Sequence, residues 1–190
     1  MNSLFIDTHG KKVLIILFKD NKIVDKIDIE TFNKHSVVTM PSIKKILKDN
    51  NCNVHSLNEI LVCNGPGSFT GSRIAVTIAK TLSFALNIPI KQIDALTIMA
   101  VNIEGDNKIV SIKDRNGAYV GEFNKSNILL DELVYLSNKE YSVLCESNNV
   151  VENIEVDYEK VYDYLSNINY INVHEVKPIY IKGISALNDK

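Results

Sequence analysis

The chain has 190 residues, of which 45% are hydrophobic, enough to fill the core of one domain or two small lobes. Its 21 basic and 23 acidic residues give a formal net charge of −2, so it lacks the basic excess of an autonomous nucleic-acid-binding protein. No apolar run reaches the roughly 20 residues that span a bilayer, and the amino-terminal segment does not have the pattern of a signal peptide. We therefore expect a cytoplasmic protein with no membrane partner. Three cysteines without CxxC spacing predict reduced thiols rather than a disulfide framework or a zinc site.

The first half of the chain alternates between strand and helix patterns. Short segments rich in Ile, Leu and Val are separated by turn residues, which is typical of an antiparallel meander, and they are followed by segments of helical period. The predicted elements are strands at 3–9, 12–19 and 22–29, a helix at 35–49, strands at 59–64 and 88–93, and helices at 72–86 and 95–103. Ser56 and Glu59 have the spacing of a helix capping box.

The second half repeats this order in a shorter form. A strand at 108–113 and another at 118–123 flank a hairpin turn at 114–117. The later predicted elements are a strand running into a short helix at 126–137, a strand at 141–145, a helix at 158–165 and an extended segment at 177–182. We therefore expect two related α/β lobes, residues 1–100 and a smaller lobe at 101–190.

The sequence GPGSFTG at residues 65–71 leads from a predicted strand into a predicted helix. Glycines permit close backbone approach, and hydroxyls at a helix N-terminus can bind an anion. The loop matches neither the Walker pattern nor GxGxxG, so a tight strand-to-helix reversal remains the alternative. The candidate phosphate-facing residues in this loop are Gly65, Gly67, Ser68, Thr70 and Gly71.

Asp7 and Thr8, at the end of the first predicted strand, form a second candidate site. A carboxylate and a hydroxyl beside a glycine turn could face a complex of a metal ion and a phosphate. Surface hairpins also use Asp, Thr and Gly for turn geometry, so the two interpretations stay open on these residues alone.

Four motifs, in order along nearly the whole chain, resemble one known family. They are IDT at 6–8, GPGSFTG followed by Arg73, the D-R-x-x-x-Y pattern at 114–119 and PIYIK at 178–182. Together they resemble the TsaB family, which is needed for N6-threonylcarbamoyl modification of adenosine-37 in tRNAs that read ANN codons. The resemblance implies a two-lobed actin-like ATPase (sugar kinase/Hsp70) fold, here with a shortened second lobe because 190 residues is short for the family.

The resemblance also implies a role as a subunit. Members of this family pair with a TsaD-like catalytic paralogue that carries the metal ion, and a TsaE-like ATPase joins them. It therefore implies that tRNA is bound through the complex, that ATP and a metal ion are bound by partner subunits, and that this chain has no cofactor of its own.

The residues themselves favour a non-catalytic role. After Gly121 only Gly183 remains, so the second glycine turn that would hold adenosine is missing. The four histidines are scattered, with no partner at metal-ligand spacing, and no GxSxG elbow surrounds Ser68. We therefore expect no catalytic residue, no metal ion and no intrinsic activity. The resemblance implies that the chain is instead an essential subunit of a tRNA threonylcarbamoyltransferase complex.

Two outward helix ridges are candidate partner surfaces. On the helix at 72–86, a wheel puts Ile74, Ala75, Ile78, Ala79, Leu82, Ala85 and Leu86 toward the core. The candidate interface residues are Arg73, Val76, Thr77, Lys80 and Phe84 on this helix, and Val37, Pro41 and Lys44 on the helix at 35–49. Solvated faces with stray apolar residues are the alternative.

Two other functions compete with the leading one. A small-molecule kinase or ATPase of the same fold would need an adenosine pocket and a completed catalytic site around Asp7. A self-associating protein could use the same ridges, and a homodimer of the free chain is open on the sequence alone.

Overall fold

The computed structural model describes residues 1–31 and 34–182, and the chain divides into two compact units. The first unit comprises Met1–Asp94 and Tyr158–Ile179, and the second comprises Ala95–Asp157 and the described residues 180–182. The division expected from the sequence was at residue 100, with all of 101–190 in the second lobe. The observed boundary lies at residue 94, and the segment from Tyr158 to Ile179 returns to the first unit.

The elements follow one another in an order close to the predicted one. They are β1 (Asn2–Asp7), β2 (Lys12–Lys19), β3 (Lys22–Glu30), α1 (His35–Asp49), β4 (Glu59–Cys63), α2 (Phe69–Leu86), β5 (Ile90–Ile93), α3 (Ala95–Val101), β6 (Asn107–Lys113), β7 (Gly117–Asn124), β8 (Val134–Ser137), α4 (Asn138–Ser147), β9 (Val150–Val151) and α5 (Tyr158–Ser166). A 3₁₀ turn at Val54–Ser56 precedes β4. Among the described residues, no helix is both long enough and apolar enough to cross a membrane.

The first unit has a five-stranded sheet with the strand order β3-β2-β1-β4-β5. Strands β1 to β3 are antiparallel, and β4 and β5 run parallel to β1. β1 and β2 are buried on both faces because helices cover both. Leu4 and Ile6 lie in one core cluster with residues of α1 and α2. On α5, the ring of Tyr158 lies 5.6 Å from that of Phe5, so α5 belongs to the first unit by its packing.

The second unit repeats the plan with fewer strands. Its sheet has the order β8-β7-β6-β9, with β6 to β8 antiparallel and β9 parallel to β6. Val110 and Phe123 of this sheet pack with Leu96 and Ala100 of α3 in its core. The same β-β-β-α-β order in both units, with four strands in the second sheet against five in the first, confirms the actin-like fold with a smaller second unit.

Two local predictions were wrong, and both concern the same capping pattern. The segment 141–145, predicted as a strand, lies within α4, whose N-cap Ser137 forms a complete capping box with Glu140. The capping box predicted at Ser56 is absent, because Glu59 is the first residue of β4. Glu59 instead accepts a hydrogen bond from the hydroxyl of Ser3 at 2.8 Å.

The other predicted segments of the second half also differ in detail. Of the segment 126–137, only residues 134–137 form a strand, and the helix α4 begins immediately after it. The segment 177–182 carries no assigned strand. Its Ile179 amide nevertheless donates to the carbonyl of Asn64 at 2.9 Å, so this segment is tied to the end of β4.

Candidate functional site at the ends of β1 and β4

The two motifs considered separately in the sequence lie side by side in the structure. β1 and β4 are parallel neighbours, with Ile6 opposite Val62, so their carboxyl ends meet at one edge of the sheet. The hairpin that starts at Thr8 follows β1, and the GPGSFTG loop follows β4. In open α/β sheets this edge is where ligands most often bind.

Backbone contacts join the hairpin to the loop. The amide of Ser68 donates to the carbonyl of His9 at 2.7 Å, and the hydroxyl of Thr8 donates to the carbonyl of Gly71 at 2.6 Å. A Cβ atom at Gly71 would lie 1.9 Å from the carbonyl oxygen of Thr8, and one at Gly67 would lie 2.5 Å from that of His9. These two glycines are therefore required by the close approach of the two chain segments.

Ser68 is the N-cap of α2. Its hydroxyl oxygen accepts a hydrogen bond from the amide of Gly71 at 3.1 Å, which satisfies one of the free amides of the first helical turn. Ser68 and Thr70 are exposed, whereas Thr8, Gly65 and Gly71 are buried. Only part of the predicted phosphate-facing set is thus accessible, and the geometry of the loop is that of a packed strand-to-helix turn with an exposed tip.

Asp7 is buried and has a partner that the sequence analysis did not foresee. Its carboxylate accepts hydrogen bonds from the amide of His9 at 2.9 Å and from the ring nitrogen Nδ1 at 2.7 Å. The thiol of Cys63, at the end of β4, lies 3.5 Å from the same Nδ1 atom. The sequence analysis found no such cluster, because His9 and Cys63 are 54 positions apart in the chain and meet only through adjacent strand ends.

The cluster holds an ion pair at neutral pH. Burial would raise the pKa of Asp7, but the charge and hydrogen bonds of His9 hold it below 3.8. Burial would likewise lower the pKa of His9, yet Asp7 raises it well above 6.5. Burial, together with the charge of Asp7, raises the pKa of the Cys63 thiol to about 11. A neutral thiol is a poor nucleophile, so Cys63 does not have the properties of a catalytic cysteine.

In the second unit, the D-R-x-x-x-Y and PIYIK motifs meet at Asp114. Its carboxylate accepts hydrogen bonds from the hydroxyl of Tyr135 at 2.6 Å and from Lys182 at 2.9 Å, and from the amides of Asn116 and Gly117 in the turn before β7. Burial would raise the pKa of Asp114, but these hydrogen bonds lower it below 3.8. The motifs therefore fasten the segment that ends at Lys182 to the β6–β7 hairpin.

The predicted ridge on α2 is only partly exposed. Phe84 is 69% exposed, and Arg73 and Thr77 are exposed too. The prediction that Val76 faces outward is wrong, because Val76 is buried in the core cluster. Lys80 is half-buried, and its ammonium group donates to the carbonyls of His174 and Val176.

The helix is rotated relative to the predicted wheel. The buried residues of α2 are Gly71, Ser72, Ala75, Val76, Ala79 and Ser83, whereas Ala85, predicted to face the core, is exposed. Small side chains on the buried face let the helix lie close to the sheet, and Ser83 satisfies its own hydroxyl by donating to the carbonyl of Ile88 at 2.6 Å. The predicted wheel placed only apolar residues on the buried face and left out small polar residues such as Ser72 and Ser83.

The ridge on α1 is exposed as predicted. Val37 is 68% exposed, and Pro41 and Lys44 are also exposed. α1 and α2 pack against each other on one face of the sheet. Next to Phe84, a cavity of about 450 Å³ is lined by residues that include Ile88, Ile171 and Val173. Single exposed apolar side chains are common on protein surfaces, so Val37 and Phe84 stay candidate partner contacts.

The fold and the linked strand ends define this chain as a two-unit α/β protein of the actin-like class. Comparisons with known proteins show which proteins within that class the chain is similar to. The family described as TsaD, tRNA N6-adenosine threonylcarbamoyltransferase, matches residues 29–114. A Bacillus subtilis protein named tRNA threonylcarbamoyladenosine biosynthesis protein TsaB is 35% identical over 137 residues, covering 70% of this chain and 60% of that protein. This chain thus spans about three fifths of that relative's length.

Two other proteins match over nearly the full chain. The uncharacterized protein MG208 of Mycoplasma genitalium is 30% identical over 192 residues, covering 94% of both chains. The crystal structure of a Pseudomonas aeruginosa protein described as similar to the peptidase YEAZ has a TM-score of 0.79 at 17% identity, covering 95% of this chain and 99% of that one. The chain is thus TsaB-like in sequence and has the fold of the YeaZ-like proteins.

Proposed function

We propose that this chain is a non-catalytic partner subunit required for N6-threonylcarbamoyladenosine formation at adenosine-37 of tRNAs that read ANN codons. The observation that carries the proposal is its sequence similarity to proteins named for the biosynthesis of this nucleoside. In this proposal the chain binds and activates a TsaD-like catalytic paralogue, a TsaE-like ATPase joins them, and the complex acts in the cytoplasm.

The geometry at the ends of β1 and β4 supports a non-catalytic role. A phosphate-transferring site needs a carboxylate that is accessible to a bound nucleotide, but the carboxylate of Asp7 is buried and paired with His9. Ser68, the one serine of the loop, caps α2. We therefore assign ATP and the catalytic metal ion to the partner subunits.

Charge and surface features support a role that depends on protein partners. A net charge of −2 is poorly suited to holding tRNA alone, since nucleic-acid affinity depends on neutralising phosphates. The exposed ridges of α1 and α2 would supply apolar contacts for a helix pair of the paralogue, through Val37 near the start of α1 and Phe84 near the end of α2. The free chain would form a homodimer through the same helices until the paralogue displaces it.

An omission experiment tests this proposal. An unmodified tRNA transcript that reads an ANN codon is incubated with the threonylcarbamoyl-adenylate donor, ATP, the paralogue, the ATPase and this chain, and modified nucleoside is measured by mass spectrometry. Omitting this chain should abolish the product, and the chain alone should neither modify tRNA nor hydrolyse ATP. ATP turnover by the chain alone that disappears in Asp7→Ala would instead support a kinase or ATPase.

A further inference from the structure

Three potential metal ligands converge where β1 and β4 end. The carboxylate of Asp7, the Nδ1 atom of His9 and the Sγ atom of Cys63 all lie within 4.8 Å of one another. Asp7 is 5% exposed and Cys63 is fully buried, while the side chain of His9 is 22% exposed. Two ligands therefore come from fixed strand ends, and the third reaches solvent.

The spacing of the donor atoms fits tetrahedral zinc. With Zn–S near 2.3 Å and Zn–N near 2.0–2.1 Å, a tetrahedral site places sulfur and nitrogen about 3.5 Å apart. The distance between Cys63 Sγ and His9 Nδ1 is 3.5 Å. Asp7 Oδ1 and His9 Nδ1 are 2.7 Å apart and share a hydrogen bond. Replacing that proton with a metal ion needs a separation of about 3.3 Å, a change that side-chain rotation supplies.

We propose that Asp7, His9 and Cys63 bind one Zn²⁺ ion, with water as the fourth ligand on the side where His9 reaches solvent. A set of sulfur, nitrogen and oxygen donors favours zinc over Mg²⁺ and Ca²⁺, which prefer oxygen alone. On binding, the protons of Nδ1 and Sγ pass to solvent. The carboxylate and the thiolate then neutralise the two charges of the ion.

The ion would crosslink two segments of the chain, with water at the open fourth position. It would link the hairpin after β1 to the end of β4. The backbone carbonyl of His9 already accepts a hydrogen bond from the amide of Ser68 in the GPGSFTG loop. Zinc would thus fix the position of that loop and of the start of α2. This site replaces the expectation from the sequence that the chain holds no metal ion, and it does not depend on the proposed function.

The alternative is a cluster that packs without metal. In that case the ion pair of Asp7 and His9 is complete in itself, Cys63 is a buried apolar side chain, and added zinc binds no tighter than to surface groups. The zinc site and the metal-free cluster differ in the number of zinc ions bound per chain and in whether tight binding requires the thiol of Cys63.

The test uses the full chain, stripped with a chelator. Zn²⁺ is titrated in competition with a chromophoric chelator, and Co²⁺ is titrated separately while thiolate-to-cobalt absorption in the near ultraviolet is recorded. We expect one equivalent of each metal ion, a thiolate band for Co²⁺ and a higher melting temperature with zinc. Cys63→Ser should abolish the thiolate band and weaken zinc affinity by at least about 100-fold. That loss exceeds the loss of affinity expected when a residue that only orients a ligand is changed. Cys145→Ser is the matched control, since Cys145 is exposed, and it should behave as the wild type.

A second variant covers the case in which Cys63→Ser fails to fold. His9→Gln changes a partly exposed side chain and should weaken zinc binding to a similar degree. The metal-free variant should fold with a lower melting temperature, because the ion pair with Asp7 is lost. The proposal is overturned if the wild-type chain binds no stoichiometric zinc or if Co²⁺ gives no thiolate band. It is also overturned if folded His9→Gln binds zinc as tightly as the wild type, or if Cys145→Ser alone removes the band.

Discussion

The variant Phe84→Ala tests whether Phe84 contacts a protein partner or supports the fold of the free chain. Phe84 is 69% exposed in the first unit, so of roughly 200 Å² of phenylalanine surface only about 60 Å² is buried in the free chain. At about 25 cal/mol/Å² this burial is worth at most about 1.5 kcal/mol. Because alanine keeps the Cβ contacts, Phe84→Ala should cost about 1 kcal/mol, which lowers the melting temperature of a chain of this size by roughly 2–4 °C.

The effect on partner binding should be larger. If the remaining area of about 140 Å² is buried by the paralogue, truncation of an aromatic anchor costs about 2–3 kcal/mol, which raises Kd by about 30- to 150-fold. Calorimetric titration with the paralogue measures Kd, and thermal unfolding of the free variant measures stability. Val143→Ala is the control, since Val143 is 60% exposed on α4 in the other unit, and it should leave Kd unchanged.

Two results would refute this reasoning. A fall in melting temperature well beyond 4 °C would show that Phe84 supports the fold. An unchanged Kd with unchanged stability would show that the paralogue binds elsewhere.

Three further variants test the loop and the second unit. Gly71→Ala places a Cβ 1.9 Å from a backbone carbonyl oxygen and should unfold or strongly destabilise the chain. The control is Gly10→Ala, whose Cβ would have nothing within 4 Å, and it should change the melting temperature by only a few degrees. Equal effects of the two variants would contradict the close approach of the loop and the hairpin. Ser68→Ala should cost about 1 kcal/mol through loss of the cap while tRNA modification continues in the intact complex, and abolished modification would reveal a chemical role for the loop. Asp114→Asn should cost about 2 kcal/mol at pH 7. The lowered pKa means that the carboxylate stabilises the chain above pH 3.8. The difference from the wild type, measured by urea unfolding, should therefore vanish as the pH falls through the folded pKa, and a difference that persists in acid would contradict it.

The sequence predicted the strands and helices of the first unit well because their signals are local. The meander of β1 to β3 alternates apolar segments with turn residues, and the glycine loop separates β4 from α2. The prediction failed at α4, where Tyr141, Val143 and Cys145 suggested a strand by composition. The pattern of Ser137 and Glu140 marked the helix start, while the same pattern at Ser56 and Glu59 did not.

The candidate site could be predicted only in part, since its contacts join distant segments. Asp7 and the loop were identified from residue type, but nothing local indicates that His9 and Cys63 meet. A helical wheel based on hydrophobicity also could not predict which face of α2 is buried. Val76 is buried and Ala85 exposed because small residues decide how closely a helix approaches a sheet.

A titration decides whether this chain is a stoichiometric activator without catalysis of its own. The paralogue, the ATPase, ATP, donor and tRNA are held fixed, and the initial rate of threonylcarbamoyladenosine formation is measured as this chain is added. We expect no product without the chain, a rise to a plateau at a fixed molar ratio to the paralogue, and no product when the paralogue alone is left out. Product at the full rate in the absence of this chain, or product formed by this chain without the paralogue, would contradict it.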